Sequence, residues 1–229
     1  GCGRVPLIGV IPSLMVGSQR PGGRIALEKW HRRATRMGRV AAVRLGARMD
    51  VRKESLDKAR AELGDLAQAG VVMTGNAFSH VLLVKGEPEV PTADGSTPAL
   101  LEGPDGKALH AALGALGYAP EDWGGLSVND AEGYPLVPGT LRLAIATLDP
   151  STLVALDDAA AAAIREAFAD ELVELESLDA ATLAPGLVVR ILGMRVLALG
   201  GFEKSLSDPK AKQLMWARLK QLPPEGEPY

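Results

Sequence analysis

The chain has 229 residues, of which 47% are hydrophobic, 23% are charged and only 4% are aromatic. This composition suits either one large globular domain or a domain of about 150 residues with an appendage, with a core of Ala, Leu and Val. The single cysteine, Cys2, excludes an internal disulfide, a four-cysteine zinc site and a cysteine-held iron–sulfur cluster.

The spacing of the histidines and the shortness of the apolar runs argue against a histidine metal site and a membrane span. The three histidines, His31, His80 and His110, are far apart in sequence and give no metal-ligand spacing. No segment reaches the roughly 18 uninterrupted apolar residues that a membrane span needs. We therefore expect a soluble, cytoplasmic protein that uses no metal or other cofactor and does not bind a membrane.

Charge divides the chain into two regions. The first 72 residues contain 14 Lys and Arg against 6 Asp and Glu, which gives +8, whereas the residues from Met73 onward carry −11. A basic arm on an acidic body is typical of a protein that binds nucleic acid or an acidic partner, but it also fits an arginine-rich helix that contacts the body's own acidic face. An apolar stripe over 54–69, ended by Gly70, predicts a helix. We interpret residues 1–72 as a basic, partly helical extension and residues 73–229 as the main domain.

In the main domain, apolar runs alternate with helical patterns. Strands are predicted for HVLLVK (80–85), TLVAL (152–156), and the pair LVVRIL and RVLALG, which Gly193 separates. Helices are predicted from Pro104 to Gly117, over 141–148, after Asp157 or Asp158, and from Asp208 onward. This alternation predicts an α/β three-layer sandwich, in which a mostly parallel sheet lies between helices. Sites in such sheets form at the carboxyl ends of the strands.

Four segments follow one another in a recognisable order: VLLVKGEPE (81–89), LLEGPDGKAL (100–109), LDPSTLVALDDAAAAAI (148–164) and RVLALGGFEKSLSDPKAKQLMWARLKQL (195–222). In that order they resemble the uracil-DNA glycosylase superfamily, particularly its microbial branch with an iron–sulfur cluster. The first is similar to that branch's Gly-Glu-Ala-Pro-Gly loop, and the second to its Pro-Phe-Val-Gly-Pro-Ala-Gly segment. The last is similar to its closing strand, His-Pro-Ser loop and Asp-Pro-initiated helix. The resemblance implies the same three-layer fold for this chain.

The resemblance also implies roles for individual residues. Glu87 and Asn129 would be the catalytic polar groups, although a gap-free alignment places Gly86 at the family's glutamate and Asn129 needs an insertion to come into register. The substrate-binding positions would be Gly86, Pro88, Leu101, Gly201, Phe202 and Glu203. Leu101 stands where the family has a base-stacking phenylalanine, and the last three stand at the His-Pro-Ser loop. The chain lacks the histidine of that loop and the cysteines of the cluster.

These observations leave three functions open. The first is a divergent base-excision glycosylase of DNA repair, a hydrolase for single-stranded or damaged DNA. There Glu87 or Asn129 would position water, and backbone N–H groups near 200–202 would stabilise the departing anion. The second is a catalytically inactive descendant that serves as a protein- or nucleotide-binding module. The third is a hydrolase of a free nucleoside or another small molecule.

Two structural features would distinguish the first function from the second. One is whether Glu87, Asn129 and Glu203 converge on one cleft. The other is whether that cleft is electropositive, because phosphate contacts supply much of the affinity for DNA. We expect a monomer whose partner is DNA or another protein.

Overall fold

The computed structural model describes Lys58, residues 60–89 and residues 96–224. The strands are β1 (Met73–Gly75), β2 (Val81–Lys85), β3 (Trp123–Ser127), β4 (Thr152–Ala155), β5 (Val188–Ile191) and β6 (Met194–Ala198). The helices are α1 (60–68), α2 (Pro104–Leu116), α3 (Pro138–Leu148), α4 (Asp158–Ala167), α5 (Ala169–Val173), α6 (Leu178–Ala181), α7 (Phe202–Ser205) and α8 (Pro209–Leu219). The strands form one sheet in the order β1-β3-β2-β4-β6-β5.

The sheet is mixed, so our expectation of a mostly parallel sheet is wrong. The four central strands β3, β2, β4 and β6 pair in parallel, whereas β1 and β5 pair antiparallel at the two edges. Only Leu192 and Gly193 separate β5 from β6, with φ values of 48° and 89°. A two-residue turn with positive φ joins antiparallel neighbours, because a parallel connection needs a dozen or more residues.

Helices cover both faces of the sheet. Successive residues of a strand point to opposite faces, and in β2 Leu82 and Val84 lie in one core cluster while Val81 and Leu83 lie in the other. The first cluster includes buried side chains of α1, α3 and α4, and the second includes those of α2, α7 and α8. The predicted α/β fold with a sheet between helices is therefore confirmed, in a form compatible with a three-layer sandwich.

Local sequence signals account for where the helices begin. Pro104, Pro138 and Pro209 each occupy a first helical position, where their missing N–H costs no hydrogen bond. Asp157 caps α4, as predicted, by accepting a hydrogen bond from the backbone N–H of Ala160. Helix α3 starts at Pro138, three residues before the predicted 141.

The sequence analysis missed strand β3. Its sequence, WGGLS, carries two glycines in five residues, and glycine is a poor strand former. The glycines are required by packing. A Cβ at Gly125 would lie 2.7 Å from the Thr74 Cγ2 and 2.8 Å from the Leu101 Cδ1. Here close approach between neighbouring elements outweighs strand propensity.

Part of the predicted N-terminal extension belongs to the sheet domain. Most of residues 1–72 lie outside the described residues. These include the start of the helix predicted for 54–69 and most of the basic residues of the extension. The compact unit that contains the sheet begins at Ala59, not at Met73. Leu66 of α1 and Val71 are 2% and 6% exposed and belong to the first core cluster. Residues 60–72 are thus integral to the fold.

We expect Leu66→Ala to destabilise the protein by about 2–4 kcal/mol, because the substitution removes a buried side chain and leaves a cavity. Urea denaturation of the full chain measures the change. The matched control is Leu178→Ala, whose side chain is 78% exposed, and which we expect to change the unfolding midpoint very little. Equal midpoints for the two variants would show that α1 is not packed on the sheet.

Candidate functional site

The loops that leave the carboxyl ends of β2, β3, β4 and β6 bring most of the predicted site residues together. Lys85 is the last residue of β2, and Gly86 and Glu87 follow it. Asn129 comes two residues after β3, Asp157 two residues after β4, and Gly201 begins the turn into α7 after β6. Because these strands are parallel neighbours, their carboxyl ends meet at one edge of the sheet.

Lys85 is the centre of this edge. Its Nζ lies 2.6 Å from the Asp105 Oδ2, 2.9 Å from the Glu89 Oε2 and 3.1 Å from the Glu203 Oε2. The Lys85 side chain is only 3% exposed, and that of Asp105 is 2% exposed. One ammonium group thereby ties together the end of β2, the loop after it, the first turn of α2 and the start of α7.

The environment keeps Lys85 charged. Burial alone would lower the pKa of its ammonium group, but hydrogen bonds to Asp105, Glu89 and Glu203 more than compensate and raise that pKa well above its usual value. A lysine acts as a nucleophile only when it loses its proton. The geometry therefore assigns Lys85 an electrostatic role in holding the loops and not a role in covalent catalysis.

Asp157 organises the loop after β2. Its Oδ2 accepts hydrogen bonds of 2.9 Å from the backbone N–H groups of both Gly86 and Glu87, while its Oδ1 caps α4. Gly86 packs directly on the first turn of α4. A Cβ at Gly86 would lie 2.5 Å from the backbone nitrogen of Ala160, so any other residue would push the loop away from the helix.

The two residues predicted to be catalytic make contacts that hold loops. The Asn129 Nδ2 donates a 2.8 Å hydrogen bond to the Gly86 carbonyl oxygen. The Glu87 Oε1 accepts a 2.6 Å hydrogen bond from the Nζ of Lys204, whose side chain is 73% exposed. Glu87 and Glu203 face the same cavity, and Asn129 binds the loop that borders it. The first distinguishing feature, convergence on one cleft, therefore holds for Glu87 and Glu203 but not for Asn129, which does not line the cavity.

The predicted substrate-binding residues differ in burial, and some of them do not face the cleft. Leu101 is 1% exposed and lies in the second core cluster, with φ of +61° and its N–H bonded to Glu89. It does not line the cleft. Pro88 is exposed, Gly86 is buried, and Phe202 is 5% exposed. The backbone N–H groups of Gly201 and Phe202 both donate to the Leu156 carbonyl oxygen, at 3.1 and 2.8 Å.

Little space remains between these groups. The cavity at the carboxyl ends has a volume of about 10 Å³, which is room for about one water molecule. Its lining consists of Lys85, Glu87, Asp105, Leu156, Asp157, Gly201, Phe202 and Glu203.

Negative charge dominates the edge. Five carboxylates, those of Glu87, Glu89, Asp105, Asp157 and Glu203, stand beside two ammonium groups, those of Lys85 and Lys204. The formal charge of this group is −3. The second distinguishing feature, an electropositive cleft, is therefore absent at this edge.

Sequence analysis missed Lys85, Asp105 and Glu89 as members of the site. Lys85 ends an apolar strand, where a lysine ordinarily reaches solvent. Its partners Asp105 and Glu203 are 20 and 118 positions away along the chain, so no local spacing could indicate the network. The signal available in the sequence was that Lys85 directly continues the apolar run 81–84, in a segment whose pattern predicts a buried strand.

No protein-family model matches the chain, and no curated protein matches it significantly. Within the described ranges, no group of three or more His, Cys, Asp or Glu side chains could hold a metal ion. Among those same residues, no helix is both long and apolar enough to cross a bilayer.

We expect Lys85→Met to destabilise the protein by about 3–5 kcal/mol, because it leaves buried carboxylates without their counter-charge. Such carboxylates take up protons as the pH falls, and protonation relieves their repulsion. The deficit relative to the unsubstituted protein should therefore be larger at pH 8 than at pH 5. Urea denaturation at both pH values measures it.

The matched control for this prediction is Lys204→Met, which removes the other lysine of the edge from an exposed position. We expect it to change stability little at either pH, because exposed ion pairs contribute little. If Lys85→Met behaved like Lys204→Met, the Lys85 network would not hold the loops together.

Proposed function

We propose that the chain is a catalytically inactive relative of the uracil-DNA glycosylases whose fold serves as a binding module. The four segments that carry the resemblance coincide with structural units, and this supports the proposal. VLLVKGEPE is β2 with its loop, LLEGPDGKAL leads into α2, the third segment spans β4 and α4, and the fourth spans β6, α7 and α8. Helices lie on both faces of the sheet, as the resemblance implies.

The observation that carries the proposal is the occupied cleft. A glycosylase of this kind must extract a base from the stack and accommodate it in a pocket. Here the Lys85 side chain and its three carboxylate partners fill the corresponding edge, and each carboxylate lies within 3.1 Å of the Lys85 Nζ. The remaining cavity of about 10 Å³ is far too small for a pyrimidine ring.

The backbone donors of Gly201 and Phe202, which could replace a missing histidine, are already used. Stabilising the departing anion requires N–H groups aimed at the place where charge develops. The N–H groups of Gly201 and Phe202 donate to the Leu156 carbonyl, and those of Gly86 and Glu87 donate to the Asp157 carboxylate. The Asp157 carboxylate thus takes the place that a bound anion would have at the N–H groups of Gly86 and Glu87.

Electrostatics also disfavour nucleic acid at this edge. A formal charge of −3 on the clustered side chains repels the phosphates that supply most of the affinity for DNA. The same argument disfavours a free nucleotide as the ligand of the cleft. Of the two kinds of module left open by the sequence, the cleft itself is better suited to a protein partner than to a nucleotide.

One observation favours the alternative, a divergent glycosylase. Glu87 and Glu203 line one cavity, Asn129 binds the loop beside it, and Glu87 is partly accessible, with its side chain 33% exposed. An opening of the Lys85 network on DNA binding would be needed to admit a base. The glycosylase and the inactive binding module therefore differ in uracil release, which an assay measures directly.

The test is uracil release from a single-stranded oligonucleotide that contains one uracil. We expect no release above an enzyme-free blank from protein shown to be folded by circular dichroism, while an active uracil-DNA glycosylase in parallel releases the base. Glu87→Ala and Asn129→Ala variants are assayed beside the unsubstituted chain. Release that either substitution abolishes would overturn the proposal and establish a glycosylase with a rebuilt site.

A further inference from the structure

Helix α8 has the opposite charge to the rest of the main domain. Residues 209–224 contain Lys210, Lys212, Arg218 and Lys220 and no Asp or Glu, whereas residues 73–229 together carry −11. The acidic residue at its start, Asp208, is engaged as the helix cap through hydrogen bonds to the backbone N–H groups of Lys210 and Ala211. The helix is a local basic surface on an acidic body.

The three lysines among these basic residues are available to a partner. Within the described part of the chain, no ion pair involves Lys210, Lys212 or Lys220, in contrast to the paired Lys85 and Lys204. All three are exposed. Arg218 differs, because its guanidinium donates to the Leu199 carbonyl oxygen and has a structural role.

An aromatic ring lies between two of the lysines. Lys212, Trp216 and Lys220 are spaced by four residues and so lie along one face of the helix. Trp216 is 37% exposed, and the Nζ of Lys220 lies 5.9 Å from its ring centroid. At 1.5 Å per residue, Lys212 and Lys220 are separated by about 12 Å along the helix axis. Met215 and Leu219 are buried and fix the helix to the core, whereas Lys212, Trp216 and Lys220 are all exposed.

We propose that this Lys-Trp-Lys face binds a single-stranded nucleic acid, with phosphates on Lys212 and Lys220 and an unpaired base stacked on Trp216. Charge complementarity selects an anionic partner, and lysines that flank an exposed aromatic ring are the combination that single strands use. A duplex keeps its bases stacked internally and offers only its phosphates to this face.

A membrane is a poorer fit to the same surface. An interfacial helix inserts a broad apolar face into the lipid. The apolar face of α8 is instead packed into the second core cluster through Met215 and Leu219, and its exposed large apolar residues are Leu214 and Trp216. The proposal deepens the binding-module function and rests on it. It places the nucleic acid on α8 and not in the acidic cleft, so uracil release and binding to α8 can fail separately.

The test is fluorescence anisotropy of labelled 15-residue oligothymidine and oligouridine with the full chain, between 50 and 300 mM salt. Two phosphate contacts predict a slope of log K against log salt of about −1.4. Trp216→Ala should weaken binding about tenfold through lost stacking. The double variant Lys212→Gln/Lys220→Gln should bring the slope close to zero. Lys107→Gln, an exposed lysine on α2, is the matched control and should leave both quantities unchanged.

Several outcomes would overturn the proposal. These are no binding by the unsubstituted chain, an affinity that Trp216→Ala leaves unchanged, or a salt slope that the double lysine variant leaves unchanged. The last two results would assign binding to other basic residues of the chain. Binding to vesicles of phosphatidylcholine and phosphatidylserine that Trp216→Ala weakens, with no binding to oligonucleotides, would identify a lipid surface as the partner instead.

Discussion

The ion-pair network of Lys85 is the interaction on which the carboxyl edge of the sheet depends. A buried ammonium group is unfavourable alone, and three carboxylates from different elements make it stable. The same contacts fix the loop after β2, the start of α2 and the start of α7 at one point. The filled cleft and its acidic charge are both consequences of this arrangement. The lysines of α8 take no part in this network.

Much of the fold could be predicted from local sequence, because the signals for it are local. The apolar runs gave β2, β4 and β6, prolines and Asp157 gave the helix starts, and Gly193 gave the division between β5 and β6. The direction of strand pairing at the edges could not be predicted from periodicity, which does not distinguish parallel from antiparallel neighbours. Strand β3 was not predicted because Gly125 is required by close packing against Thr74 and Leu101. Such a tertiary requirement leaves no signal in the local sequence.

The candidate site was predictable in its location and not in its chemistry. Glu87 and Glu203 follow strands whose carboxyl ends were predicted to form the site, and the two side chains line one cavity. Lys85 was not expected, since its partners are distant in sequence and a lysine at a strand end ordinarily points to solvent. Leu101 was expected to contact a base, but a buried backbone turn with positive φ directs it into the core.

The central claim is that the Lys85 ammonium is protonated, buried and bound by carboxylates, and nitrogen-15 NMR of the lysine side chains tests it most directly. Exposed ammonium groups exchange their protons with water rapidly at neutral pH, whereas a buried and hydrogen-bonded one exchanges slowly. We predict one protected lysine ammonium signal at pH 7 that disappears in Lys85→Arg and persists in Lys204→Arg. A spectrum without a protected signal, or one that Lys85→Arg leaves unchanged, would contradict the account.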